Sequence, residues 1–255
     1  MRASARGSEQ GSREEADSVY LKKDREMKNL KEINTRKEKV DFSLKYRNNS
    51  INYDEEKRMM NRVVVMGGSF NPPTIAHLRL MQTAIEAIGA NKGIFAPTPH
   101  EYVDRKMKRQ KHREDTLSES IRIKMLESFR DRDSRIAVSR VQIQETGCAH
   151  DYDMLVAIQR ENPDAEIFFV TGSDKLYILP RWREIGDLLM KFRILVARRG
   201  EDNLNKIKED MPYLAEHWDR FTVFDVPADI GMISSSAFRE RLHNNDESAA
   251  ELVTQ

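Results

Sequence analysis

Six short apolar runs, rich in β-branched and aromatic residues, punctuate the chain between residues 62 and 227 and constrain its fold more than any other feature. They read RVVVM (62–66), GIFAP (93–97), RIAVS (135–139), EIFFVTG (166–172), FRILVARRG (192–200) and FTVFDVP (221–227). Runs this short, with Gly or Pro at most of their ends, fit buried strands better than helices. Between them the period changes. Ala76, Leu80, Ala84 and Ile88 recur at helical spacing until Gly89 stops the pattern, and 118–129 and 152–161 also read as helices. Strands alternating with helices predict a doubly wound α/β fold, a mainly parallel sheet with helices on both faces.

Composition bounds the folded part. Residues 1–60 hold fifteen Lys/Arg and twelve Asp/Glu but few large apolar residues, too few to bury a core. They read as a disordered or weakly structured charged extension, with 25–33 the best candidate for a helix, ahead of a domain over 61–245 and a polar tail over 246–255. Met59 and Met60 stand where a compact domain would begin, so a chain starting at Met59 is expected to keep its activity and melting temperature. The net charge of the whole chain is +1, which gives no general attraction to nucleic acid or a membrane surface. Cys148 is the single cysteine and excludes an intrachain disulfide or a thiolate metal site. No apolar stretch approaches the roughly 20 residues that span a bilayer, and the first residues lack the apolar core of a signal peptide. A cytoplasmic setting is expected. Residues 98–116, with six Lys/Arg between 105 and 113, look too polar and aperiodic for a regular element and read as a mobile lid or solvated loop.

Chemistry concentrates where the first run ends. In VVVMGGSFNPPTIAHLRL (63–80) the strand stops at Gly67 and Gly68, which permit a tight turn and close backbone approach, and Pro72 and Pro73 direct the loop. The next helix then offers unpaired N–H groups to an anion, with His77 inside its first turn. An ordinary Gly-Pro connection with a locally bonded histidine fits that segment equally well. Neither G-x-G-x-x-G nor G-x-x-x-x-G-K is present. A second segment, ISSSAFRERL (233–242), follows the last strand and opens a helix with three hydroxyls and Arg239 one turn on. Ser234 or Ser235 could be a plain N-cap, yet such a donor-rich start under a guanidinium also suits a triphosphate.

Together these segments resemble the nucleotidyltransferase superfamily, whose signatures are a [HT]-x-x-H turn after the first strand and an I-S-S-T-x-x-R helix start. Here they read Thr74-Ile-Ala-His77 and Ile233-Ser-Ser-Ser-Ala-Phe-Arg239. With GGSFNPPTIAHL, FFVTGSDKLYILPRW (168–182), ILVARRG (194–200) and ISSSAFRERL in order, residues 62–243 are most similar to the nicotinate/nicotinamide mononucleotide adenylyltransferases. The resemblance implies a Rossmann-like fold that moves AMP from ATP to the 5′-phosphate of a pyridine mononucleotide, releasing pyrophosphate with Mg²⁺ bound to ATP. It implies catalytic roles for His77, at the α-phosphate, and Arg239, which with Ser234, Ser235 and Ser236 faces the β- and γ-phosphates. Gly68, Ser69 and Phe70 would cradle the nucleotide, Gly172 and Asp174 match a G-x-D used around it, and Trp182 matches an aromatic that stacks on the pyridine. The expected partners are ATP and the mononucleotide, with no nucleic acid, no membrane and no protein metal ligand; self-association is left open.

Two departures from the family pattern carry expectations. Where the family places a phosphate-facing lysine after Pro-Pro-His, this chain has Glu101, and Lys106 or Lys108 could substitute unless the charge run is simply solvated. The segment that lies beside the pyridine substituent in the family aligns with 150–153, which includes Asp151 and Asp153; a carboxylate there would repel nicotinate and favour the amide. Both aspartates could instead face water at a helix start. Transfer to another phosphorylated acceptor, such as phosphopantetheine, and a nucleotide-binding regulator without turnover are the competing functions.

Overall fold

The computed structural model describes residues 61–110, 113–145, 150–199, 202–230 and 233–253. The chain divides into two units, Met1–Glu56 and Lys57–Gln255; the expectations for 1–60 and for Cys148 lie outside the described residues.

Strands β1 (Arg62–Gly68), β2 (Lys92–Pro97), β3 (Ile136–Val138), β4 (Glu166–Gly172), β5 (Arg193–Arg198) and β6 (Phe221–Asp225) form one sheet in the order β3-β2-β1-β4-β5-β6. Every pairing is parallel. The chain moves outward from β1 to β3, then returns to the other side of β1 through β4. That reversal opens a crevice beyond the carboxyl ends of β1 and β4, where open α/β sheets place ligands. The main helices are α1 (Ile75–Ile88), α2 (His100–Arg109), α3 (Glu119–Glu127), α4 (Asp151–Glu161), α5 (Ile185–Lys191), α6 (Leu204–Asp210) and α7 (Ser235–His243).

Both faces of the sheet are covered, which is why its strands read as continuous apolar runs. Val63, Val65 and Phe169 turn to one face, against Met154, Leu155 and Ile158 of α4. Val64, Met66 and Phe95 turn to the other, against Leu78, Met81 and Ile85 of α1. Phe95 is fully buried and meets Phe70 and Phe129 edge-on; its truncation to Ala would cost about 3–5 kcal/mol. Gly93 lets α1 lie close on β2, since a Cβ there would stand 2.6 Å from Met81 Sδ and 2.8 Å from Ile85 Cδ1.

Two sequence expectations are corrected. Residues 100–109 are a helix, not a loop. Only Val103 and Met107 are buried, but they stand four apart on one face; Glu101 in the first turn and Lys106, Lys108 and Arg109 in the last suit the helix dipole. Gly67 and Gly68 do not turn: β1 continues through both, paired with Ala96 and Pro97. The chain bends instead at Phe70, which adopts the left-handed region at φ 44°. The polar tail contains a short helix, Ala249–Leu252, whose two end residues are buried. No described helix is long and apolar enough to cross a membrane.

Candidate functional site

Among the described residues, two of the cavities near the carboxyl end of the sheet are lined by residues the sequence singles out. The first is a polar cradle between the end of β1, the start of α7 and one side of α2, into which His77, Lys106, Ser236 and Arg239 bring their donors. No carboxylate lines it among the described residues.

The cradle's histidine is held by its own helix start. Thr74, the N-cap of α1, donates its N–H to His77 Nδ1 at 3.0 Å, and its hydroxyl lies 2.7 Å from the same nitrogen. A ring whose Nδ1 accepts carries its proton on Nε2, the nitrogen left to donate. Burial lowers the His77 pKa from its ordinary 6.5 to about 4; the Thr74 contact offsets part of this and the Arg199 charge adds to it. The ring is therefore a neutral donor at physiological pH. Phe70 backs it edge-on at 5.2 Å and lies beneath Gly68, where a Cβ would come within 3.1 Å of the Phe70 ring. A glycine keeps this floor flat.

The serines at the start of α7 divide their work. Ser234 is the N-cap, its hydroxyl accepting the Ala237 N–H at 3.1 Å, and it does not line the cradle. The Ser235 hydroxyl donates to Pro72 O at 2.8 Å, tying α7 to the β1 loop. Arg239 donates to Asn71 O at 2.6 Å and to Ser236 Oγ at 3.1 Å. Arg239 lines the cradle, yet it is only 9% exposed and also braces the loop. Asn71 in turn holds Asp115 O and the Leu117 N–H, at 2.9 and 2.8 Å.

Of the two lysines proposed for the cradle, α2 delivers Lys106, with Nζ 3.3 Å from Ser69 Oγ; Lys108 does not line it. Desolvation, then the Arg239 and Lys175 charges, lower the Lys106 pKa. Cations gathered in a cavity whose lining holds no carboxylate create a potential that attracts an anion, with Asp115 opposing the Arg239 charge from outside it. Glu101 lines the other cavity, not this one.

That second cavity contains Trp182, with Thr98, Gln142, His150 and Asp151 around it. The indole packs edge-on against Phe169 at 6.1 Å and lines the cavity as well, so it serves both core and ligand surface. Burial raises the Asp151 pKa against the opposing influence of His150. Asp153 does not line this cavity, and Gly172 and Asp174 line neither. Gly172 ends β4, and Asp174 pairs with Lys175 at 3.2 Å.

Sequence reasoning missed Arg122, Asn71 and Gln142. Arg122 of α3 is completely buried and donates to Ser69 O at 2.8 Å and Thr98 O at 2.9 Å, one carbonyl beside each cavity. The guanidinium is bonded to backbone carbonyls, and the Glu119 carboxylate on the same helix opposes its charge. Nothing in the run ESIRIKMLESF marks that arginine as different from its neighbours.

Residues 65–241 match the cytidylyltransferase-like family. A "Probable nicotinate-nucleotide adenylyltransferase" of Lactococcus lactis subsp. lactis (strain IL1403) is 31% identical over 195 residues, 75% of this chain and 88% of its own length. One of the same description from Clostridium acetobutylicum is 26% identical over 192 residues, 73% of this chain and 90% of its own. Among solved structures, a Plasmodium falciparum nicotinic acid mononucleotide adenylyltransferase complexed with APC shares the fold, at TM-score 0.55 and 17% identity over 73% of this chain and 89% of that one. Since the match runs from β1 into α7 and the Lactococcus relative aligns over most of its length, the chain belongs to the cytidylyltransferase-like family and, within it, to the nicotinate/nicotinamide mononucleotide adenylyltransferases.

Proposed function

We propose that the chain transfers AMP from ATP to nicotinate or nicotinamide mononucleotide, forming the corresponding dinucleotide and pyrophosphate. The observation that carries this is the adjacency of a cationic cradle and an indole-lined cavity, joined beneath by Arg122. One suits a triphosphate and the other a flat aromatic ring bearing a polar group. The relatives named for nicotinate nucleotide support the acceptor class.

The reaction forms a bond from the mononucleotide phosphate oxygen to the α-phosphorus and breaks the bond from that phosphorus to the β-phosphate oxygen. The attacking oxygen is already anionic, so no side-chain nucleophile or general base is required. Catalysis reduces to alignment and stabilisation of charge on the transferred phosphoryl group. In this reading the neutral His77 donates from Nε2 to an α-phosphate oxygen, while Lys106, Ser236 and Arg239 hold the departing pyrophosphate. A preorganised donor costs no reorganisation when charge develops. Mg²⁺ would come with ATP as part of the substrate and would supply charge neutralisation, since the cradle's lining of cations and hydroxyls offers no carboxylate to hold an ion of its own. Ser69 and Phe70 seat the nucleotide through the backbone, and Trp182 stacks on the pyridine. A cytoplasmic setting, where ATP and its acceptor are both available, accords with the single cysteine.

The test is pyrophosphate release from ATP with a panel of phosphorylated acceptors. Release with either pyridine mononucleotide, and not with phosphopantetheine, is the expected outcome. Release with phosphopantetheine alone would reassign the acceptor, and ATP binding without release from any acceptor would favour a regulator.

A further inference from the structure

The bond that braces Arg239 belongs to a closed ring of contacts. Arg239 donates to Asn71 O at 2.6 Å. Asn71 is only 2% exposed, and its side chain donates to Asp115 O at 2.9 Å and accepts the Leu117 N–H at 2.8 Å. The Asp115 carboxylate then meets His243 Nε2 at 2.9 Å, and His243 stands on α7 four residues after Arg239, one turn along the same helix. One helix thus grips both ends of a path that runs through the loop after β1 and the short turn Arg113–Asp115. The second grip lies outside the apolar core, with the His243 side chain 46% and the Asp115 side chain 13% exposed. What it fixes is the loop, not the packing.

We propose that His243 is a positioning residue for the cradle: by clasping Asp115 it steadies Asn71 O, and so fixes where Arg239 stands when the triphosphate arrives. The inference rests on the proposed adenylyl transfer. Without the clasp Arg239 still reaches Asn71 O, but the turn that holds the Asn71 side chain has lost a tie to α7. The rival is direct contact, since His243 lines an outer cavity that shares Gln110, Ser236 and Arg239 with the cradle.

The clasp depends on pH, because a charged ring holds a carboxylate more tightly than a neutral one. The Asp115 hydrogen bond and charge raise the His243 pKa above its ordinary 6.5, with Glu114 adding to them and desolvation and the Arg239 charge opposing. Asp115 and Glu114 face the ring from the short turn, the three ligand atoms lying within 4.8 Å of one another. Arg239 and Glu240 face it from α7, Glu240 on the wall of the outer cavity. The C-terminal end of α7 also favours a cation there. The charged clasp is therefore complete below pH 6.5 and weakens as pH rises through the raised value.

The decisive measurement is kcat/KM for ATP, with wild type and variants compared at each pH from 6 to 8.5. Titration of substrate phosphates, with a pKa near 6, is common to all of them and cancels in the ratio. His243→Gln keeps a donor but not the charge. It is expected to lower kcat/KM for ATP about 3-fold at pH 6, the scale of one exposed charge pair, to leave KM for the mononucleotide unchanged, and to converge on wild type at pH 8.5. His243→Arg, a permanent cation, should match wild type at pH 6 and exceed it at pH 8.5. In an Arg239→Ala background His243→Gln should have no further effect, because a positioning residue acts only through the group it positions. A deficit that persists in that background would put the ring on the phosphates themselves and overturn the inference, as would a deficit that does not vary with pH; both leave adenylyl transfer intact. Turnover of neither mononucleotide overturns the functional reading, and this inference with it.

Discussion

The cradle and the indole cavity lie side by side but are assembled by opposite means. In the cradle the donors are held before any ligand arrives: Thr74 fixes His77, Asn71 and Ser236 fix Arg239, and Pro72 fixes Ser235. In the indole cavity's lining Gln142 Oε1 and Thr98 Oγ1 carry no hydrogen bond, while the aromatic wall is braced by Phe169. The difference separates two tasks. Stabilising the same phosphoryl chemistry in every turnover rewards rigidity, whereas seating a flat ring asks first for a fixed aromatic wall.

The largest effect that could break this contrast is in the cradle. His77→Ala and Arg239→Ala are each expected to lower kcat by roughly 10²-fold or more, the usual consequence of losing a preorganised donor. Arg239→Lys should not rescue, because one ammonium cannot span Asn71 O and Ser236 Oγ as the guanidinium fork does. Near wild-type turnover in purified, folded variants would remove the cradle from the chemistry.

A tenfold effect should then divide the two cavities by substrate. Trp182→Ala is expected to raise KM for the mononucleotide by about 10-fold, as loss of ring stacking worth ~1–3 kcal/mol would, with KM for ATP little changed. Lys106→Ala should do the reverse, raising KM for ATP about 10-fold through a lost charge-assisted contact, while Lys108→Ala changes neither. Steady-state kinetics with each substrate varied in turn decides it; if both variants weaken both substrates alike, the cavities are not separate sites.

The smallest expected effect is an absence. Since the His77 pKa is about 4 in the folded chain, kcat/KM should carry no inflection from this ring between pH 6 and 8. An inflection near 6.5 that His77→Gln removes would mean the ring is solvated. Stability has the matching sign. The unfolded chain takes up the proton first, so the His77 contribution is complete above pH 6.5 and declines as pH falls toward 4. Denaturant titrations across that range should be flatter in His77→Gln.

How much of this was legible follows the same division. Six strands and the helix over 76–88 were readable because burial on both faces of a parallel sheet writes continuous apolar runs. His77 and Arg239 were readable because the cradle's parts are contiguous in sequence, each set on a helix start. The helix carrying Lys106 was not, because two buried residues in ten make too faint a period beside a run of basic side chains. Its acid-first, base-last order was the signal available. Gln142 and Arg122 were illegible for a different reason: their roles come from where the fold leaves an amide unbonded or a charge enclosed, and no local pattern records that. Ser234 fitted the family's phosphate-binding pattern, yet its hydroxyl closes its own helix.

Arg122 sets a dimension. Its planar guanidinium reaches Ser69 O with one nitrogen and Thr98 O with the other, so the spacing between the loops after β1 and β2 is gauged by a rigid group of fixed width. Substrates laid across that gauge would meet with their reacting atoms already at a set separation, whatever the side chains above do. A lysine in its place would carry the same charge but would measure nothing; each seat could survive intact while the two drifted out of step.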